Sequence, residues 1–254
     1  MTADRRWPLA LSLLAAPALA LAQATVKPDG EFRYALGLGA SYQSGNTDDA
    51  SSVNLSADGV RKTEQDKWQF GGKGLRSSSN GARSAENFSL GTQYDRDLTP
   101  EWFALGKADA LHDKLANLSS RVSVFGGAGR HVVKSEALTW DVSAGLGYTH
   151  DRYIEEAVVA GEPRRSYGRA ELLLAEESTH KWTPTTSFHQ KLSLYPALSS
   201  HNGYRGVFDA GLSVAMTARL SLTAGLTYRY DSDPGEGLER GDTLFVTGIA
   251  LKID

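Results

Sequence analysis

The sequence predicts an all-β fold, a single antiparallel transmembrane β-barrel of about twelve strands. Three observations carry the prediction. Apolar and polar residues alternate with period 2 along nearly the whole chain, the connections between these segments are short and long in turn, and an export-type segment stands in front of them.

The alternation is clearest over 220–230, where Leu220, Leu222, Ala224, Leu226, Tyr228 and Tyr230 share one face and Ser221, Thr223, Gly225, Thr227 and Arg229 the other. Successive side chains of a strand point to opposite sides, so this segment has one greasy and one polar face. The same reading places strands at 32–43, 50–61, 67–78, 85–96, 102–112, 118–132, 139–150, 166–177, 184–195, 203–215, 219–231 and 242–253. In the seventh, Trp140 and Tyr148 bracket Val142, Ala144 and Leu146. Aromatics at the ends of a greasy face with small aliphatics between them suit a bilayer, because an aromatic body rests in the headgroup zone with its polar edge wet.

Arg61–Asp66, Asp97–Glu101, Val133–Leu138, Ser178–Thr183 and Thr217–Arg219 read as short turns. Ser44–Asp49, Ser79–Ser84, Asp113–Asn117, Asp151–Arg165, Pro196–Asn202 and Ser232–Gly241 read as the opposite set, mostly longer and rich in Gly, Asn, Asp and Pro. This asymmetry is that of outer-membrane barrels, and an even strand count puts both termini at the short-turn, periplasmic end. Asp151–Arg165 is the longest connection and is expected to be an exposed, mobile extracellular loop.

Residues 1–22 read as a secretory signal: Arg5-Arg6, an apolar run from Pro8 to Leu21, and small residues before a cleavage point after Ala22, with Ala24 as the alternative. Residues 23–254 then form the barrel domain. Losing Asp4, Arg5 and Arg6 moves the net charge from −3 to −4, which offers no footprint for nucleic acid. With no cysteine there is neither a lipid-anchored Cys nor a disulfide. A mean hydropathy of −0.34 does not fit a helical membrane protein, but a barrel escapes that measure because only alternate residues meet lipid. A soluble lipocalin-like barrel also alternates. Its exterior would carry more Lys and Glu than the Gly-, Ser- and Thr-rich polar face here.

Several segments together resemble a known family. They are Ser44-Gly45-Asn46-Thr47-Asp48, Tyr94-Asp95-Arg96-Asp97-Leu98-Thr99-Pro100-Glu101-Trp102-Phe103, Ala144-Gly145-Leu146-Gly147-Tyr148, Asn202-Gly203-Tyr204-Arg205 and Tyr230-Asp231-Ser232-Asp233-Pro234. Their order and spacing resemble the DUF481, or salt-stress-induced outer membrane protein, family from about residue 32 onward. The resemblance implies an outer-membrane barrel and brings no defined activity. The chain ends Leu251-Lys252-Ile253-Asp254, without the terminal aromatic that such barrels usually present to the barrel-assembly machinery.

By parity the polar face includes Lys107, Asp109, Arg121, Asp141, Arg169, Glu171, Arg205, Asp209 and Arg229. These are the lumen-lining candidates. They line a pathway for small polar solutes or ions, or they pair across strands and plug the lumen. The mixture of signs favours pairing, since a selective pore more often shows a ring of one sign. His112-Asp113 and His150-Asp151 read as solvated loop residues rather than a hydrolytic pair at the rim, because neighbours on a strand point to opposite faces. Asp231-Ser232-Asp233 reads as a turn rather than a Ca²⁺ loop. No catalytic, cofactor-binding or metal-binding residue is expected. The expected partners are outer-membrane lipid, lipopolysaccharide and, during biogenesis, the barrel-assembly machinery. The leading functional reading is a narrow channel, and the alternatives are a structural or stress-response envelope protein with a plugged lumen and a rim-located hydrolase.

Overall fold

The structure, a computed structural model, describes residues 24, 26–43, 50–79, 82–114, 116–198, 203–234 and 240–253. The expected signal at 1–22, the connection 44–49, Asn202, Glu236 and Asp254 lie outside them. The described residues contain β1 (Phe32–Gln43), β2 (Ala50–Lys62), β3 (Asp66–Ser79), β4 (Ala82–Asp97), β5 (Trp102–Asp113), β6 (Leu118–Lys134), β7 (Leu138–Val159), β8 (Glu162–Lys181), β9 (Thr186–Pro196), β10 (Tyr204–Ala215), β11 (Leu220–Asp231) and β12 (Gly241–Ile253). Each strand pairs antiparallel with its sequence neighbours, and β1 closes the barrel on β12, from Tyr34 opposite Ile253 to Leu38 opposite Ile249. Closure removes the free edges that a bilayer would leave unsatisfied.

The greasy faces point outward. Leu146 is 60% exposed, Leu38 and Leu55 59%, and Val124 57%, whereas Ser123, Thr149, Arg169, Glu171 and Arg205 are buried inside. A protein folding in water would place these two sets the other way round. Aromatic rings mark both ends of the outer face. At the short-turn end Phe32, Tyr34, Trp68 and Phe70 form a cluster with centroids 6.0–6.3 Å apart, and Trp102 and Trp140 are exposed at the same end of β5 and β7. At the other end Tyr204 stacks on Tyr230 at 5.4 Å. Such belts anchor a barrel at the two water–lipid interfaces.

The segment 151–165 departs from the sequence expectation. It is not a loop: β7 continues to Val159, β8 starts at Glu162, and only Ala160 and Gly161 turn the chain. Their φ angles of 54° and 79° are the left-handed pair that a tight two-residue hairpin requires. Tyr153, Ala157 and Val159 bury one face of the extension against Leu118, with Tyr167 and Leu111 alongside. That apolar face outweighs the loop-like signal of Glu155-Glu156 and Gly161-Glu162-Pro163. A register shift between Arg152 and Ala157 breaks the ladder below the tip. At the tip the amide of Ala160 donates to Asp233 Oδ2 at 2.8 Å, which ties the hairpin to the connection after β11.

Candidate functional site: a filled lumen

The interior carries three layers of side chains. Nearest the long-connection mouth is a clasp of charges on β6, β7, β8, β10 and β11. Asp151 is fully buried and accepts from Arg121 Nε at 2.7 Å, Arg121 Nη2 at 2.8 Å and Arg169 Nη1 at 3.0 Å. Glu171, also fully buried, accepts from Arg169 Nε at 2.9 Å, Arg205 Nε at 3.0 Å, Arg205 Nη2 at 2.6 Å and the Thr149 hydroxyl at 2.5 Å. Arg121 reaches on to Asp231 at 3.1 Å. Three guanidinium groups thus meet three carboxylates, so the charges cancel within the clasp. Buried ions need such partners, because either sign left alone is costly away from water.

The middle layer is apolar. Phe103 and Leu105 of β5, Phe125 of β6, Leu173 of β8 and Tyr195 of β9 pack together inside the barrel, each 2–7% exposed. The Phe125 and Tyr195 rings lie 5.2 Å apart. Tyr195 joins this layer to the charges around it: its hydroxyl accepts from Lys107 Nζ at 2.8 Å, and the Arg205 guanidinium sits 4.9 Å from its ring centre. Glycines directly opposite on the neighbouring strands make room. A Cβ at Gly129 would strike the Phe103 ring, and one at Gly147 would strike both the Phe125 ring and the Val124 carbonyl. Because the Val124 carbonyl belongs to a paired strand, it cannot move aside. Gly147→Ala is therefore expected to cost about 1–3 kcal/mol, the usual range for overpacking. Denaturant titration of the refolded barrel measures it, and an unchanged midpoint would show that the layer is looser than described.

The third layer lies toward the short turns. Lys191 bonds Glu177 at 2.7 Å and Gln93 at 3.0 Å, and Lys67 lies 3.7 Å from Glu177. His131 bonds Asp141 at 2.7 Å and Asp97 at 3.1 Å through its two ring nitrogens. At this end Arg33 of β1 donates to both carboxylate oxygens of Asp29, which precedes the strand. Those bonds hold the Asp29 carboxyl well below its usual range.

The sequence-nominated residues fall into several groups. Arg121, Arg169, Glu171 and Arg205 share the clasp. Lys107 pairs with Asp109 at 2.9 Å, and Asp141 belongs to the His131 group. Asp209 pairs with Lys73 at 3.3 Å and Arg229 with Asp113 at 3.9 Å, both apart from the clasp. Among the described residues, six polar contacts join strands four or more places apart around the barrel: Lys67–Glu177, Lys73–Asp209, Gln93–Lys191, Lys107–Tyr195, Arg121–Asp231 and Arg229–Asp113. Since only facing walls can make such contacts, the side chains cross the bore. A cavity in the third layer, beside Lys67, Asp95, Glu177 and Lys191, has about 20 Å³, room for little more than a water.

Two parts of the site escaped the sequence reading. Asp151 was expected in a solvated loop, yet it sits at the centre of the clasp because β7 runs on past it. The apolar layer was missed although its signal was present: Phe103 and Leu105 share the parity of Lys107 and Asp109, and Phe125 that of Arg121. His112 and Asp113 do not pair; His112 Nδ1 is 2.8 Å from the Ser119 carbonyl, while Asp113 accepts from Asn87 at 2.5 Å.

Comparison with known proteins gives similarity of fold and family. The family model described as "Protein of unknown function, DUF481" matches residues 36–253. The uncharacterized protein YdiY of Escherichia coli strain K12 is 24% identical over 198 residues, which are 76% of this chain and 72% of that protein. Among solved structures, the NanC porin superposes with a TM-score of 0.51 at 11% identity, covering 87% of this chain and all of that one. The COG4313 outer membrane channel from Pseudomonas putida F1 gives 0.47 at 11% identity, covering 89% of this chain and 95% of that one.

Proposed function

The chain belongs to the DUF481 family, and from that premise we propose an integral, non-enzymatic barrel of the bacterial outer membrane: a narrow pathway for small polar solutes or ions, closed at rest by its own side chains. Its short turns and termini face the periplasm, and its long connections and the β7–β8 hairpin face lipopolysaccharide. The observation that carries the reading is the set of six contacts across the bore together with the apolar layer between the charged ones. An apolar constriction blocks ions by excluding water, and it yields when its rings are shortened. The export-type segment and the lipid-compatible exterior support the location. A structural envelope barrel is the second reading, favoured by how fully the charges are paired.

Planar-bilayer recording tests the proposal. The wild-type protein is expected to give no large steady current. Phe103→Ala with Phe125→Ala, which removes two rings of the apolar layer, is expected to produce resolvable open steps. A large steady wild-type current would contradict the closed state. Silence in both proteins would favour the structural barrel.

A further inference from the structure

The mouth holds a feature that closure alone does not use. Beneath the β7–β8 hairpin lies a cavity of about 20 Å³, lined by Val159, Tyr167, Arg169, Arg205, Asp231 and Asp233 among others. Arg169 is 8% exposed, and its Nε and Nη1 are committed to Glu171 and Asp151. Its Nη2 is buried with no hydrogen-bond partner. A buried guanidinium N–H without an acceptor is costly, so the position favours an occupant that supplies one. Val159, 2% exposed, lies on the hairpin side of this cavity, and the bond from Ala160 to Asp233 fastens the hairpin tip across the mouth.

The surroundings select the occupant's chemistry. Arg121, Arg169 and Arg205 are already balanced by Asp151, Glu171 and Asp231. An added anion would meet Glu171, Asp231 and Asp233 without a spare cation, and an added cation would meet Arg169 and Arg205. The anion would lack a partner, and the cation would find only Asp233, which is exposed at the rim and already accepts from the Ala160 amide, while facing two buried guanidinium groups. A hydroxyl suits the place, because it accepts from Arg169 Nη2 and donates to a carboxylate oxygen on the same wall. The cavity admits one such group, not a whole solute, while the hairpin is down.

We infer that this cavity binds one hydroxyl of a small neutral polyol or sugar, with the β7–β8 hairpin as its lid. The solute class deepens the pathway reading, yet occupancy can be measured in a barrel that never conducts. A site that binds in a silent protein would keep this inference and remove the pathway.

Cysteine protection provides the test, since the chain has no native cysteine. In Val159→Cys, the reaction rate with methyl methanethiosulfonate reports access to the cavity; Ala197→Cys, on the same lining, serves if the first variant does not fold. Glycerol is expected to slow the reaction several-fold, while acetate and methylammonium at equal concentration leave it unchanged. Arg169→Lys, which keeps the positive charge and lacks Nη2, is expected to abolish the protection. No slowing by glycerol would mean that the cavity holds water only. Equal slowing by the ions, or protection that survives Arg169→Lys, would also overturn the inference.

Discussion

Leu146→Arg and Leu222→Arg are each expected to destabilise the folded barrel by roughly 2–4 kcal/mol, the cost of a cation near the bilayer midplane. Leu98→Arg is expected to stay within about 0.5 kcal/mol, as for an ordinary surface change. The three leucines are similarly exposed, at 60%, 49% and 64%, so loss of packing cannot separate them. What differs is the surrounding medium. Leu146 lies between Trp140 and Tyr148 on the outer face of β7, Leu222 occupies the outer face of β11, and Leu98 belongs to the turn between β4 and β5. Denaturant titrations of the barrel refolded into lipid vesicles measure all three. Equal effects would mean that the greasy exterior does not meet lipid.

Asp151→Asn is expected to cost about 3 kcal/mol, the lower end of the range for breaking a buried ion pair. The substitution keeps the shape and removes the charge that Arg121 and Arg169 share. Each arginine retains a second carboxylate, Asp231 and Glu171 respectively, which holds the loss at that lower end. Asp109→Asn provides the contrast. Its carboxylate pairs with Lys107 but is 37% exposed, so water screens the pair and the expected loss is below about 1 kcal/mol. If both changes cost the same, the clasp is wetter than its burial indicates.

Most of the fold was legible because a barrel strand writes its two environments into alternate residues. The expected span 32–43 coincides with β1, and 219–231 differs from β11 by one residue at its start. The largest error, at 151–165, has a local cause. In a hairpin extending beyond the bilayer the outer face no longer needs to be greasy, so Arg152, Glu155 and Glu156 mimic a loop while Tyr153, Ala157 and Val159 hold the strand from inside. The lumen was legible only in its charges. Which carboxylate meets which guanidinium depends on the stagger between strands, and Arg121 reaching Asp231 across the bore leaves no mark in local sequence. Phe103 and Phe125 share the parity of charged residues, and the interior accepts their rings because Gly129 and Gly147 stand opposite them.

Spin-label accessibility tests the central claim most directly, namely that the chain turns its greasy face to lipid and fills its own interior. Labels at Val142, Ala144 and Leu146 on the outer face, and at Ser143 and Ser193 inside, are compared in proteoliposomes for access to oxygen and to a water-soluble nickel chelate. High oxygen access is expected at 142, 144 and 146, and low access to both reagents at 143 and 193. Free access of the nickel chelate to Ser143 and Ser193 would contradict the filled lumen, and its access to 142, 144 and 146 would contradict the barrel's orientation toward lipid.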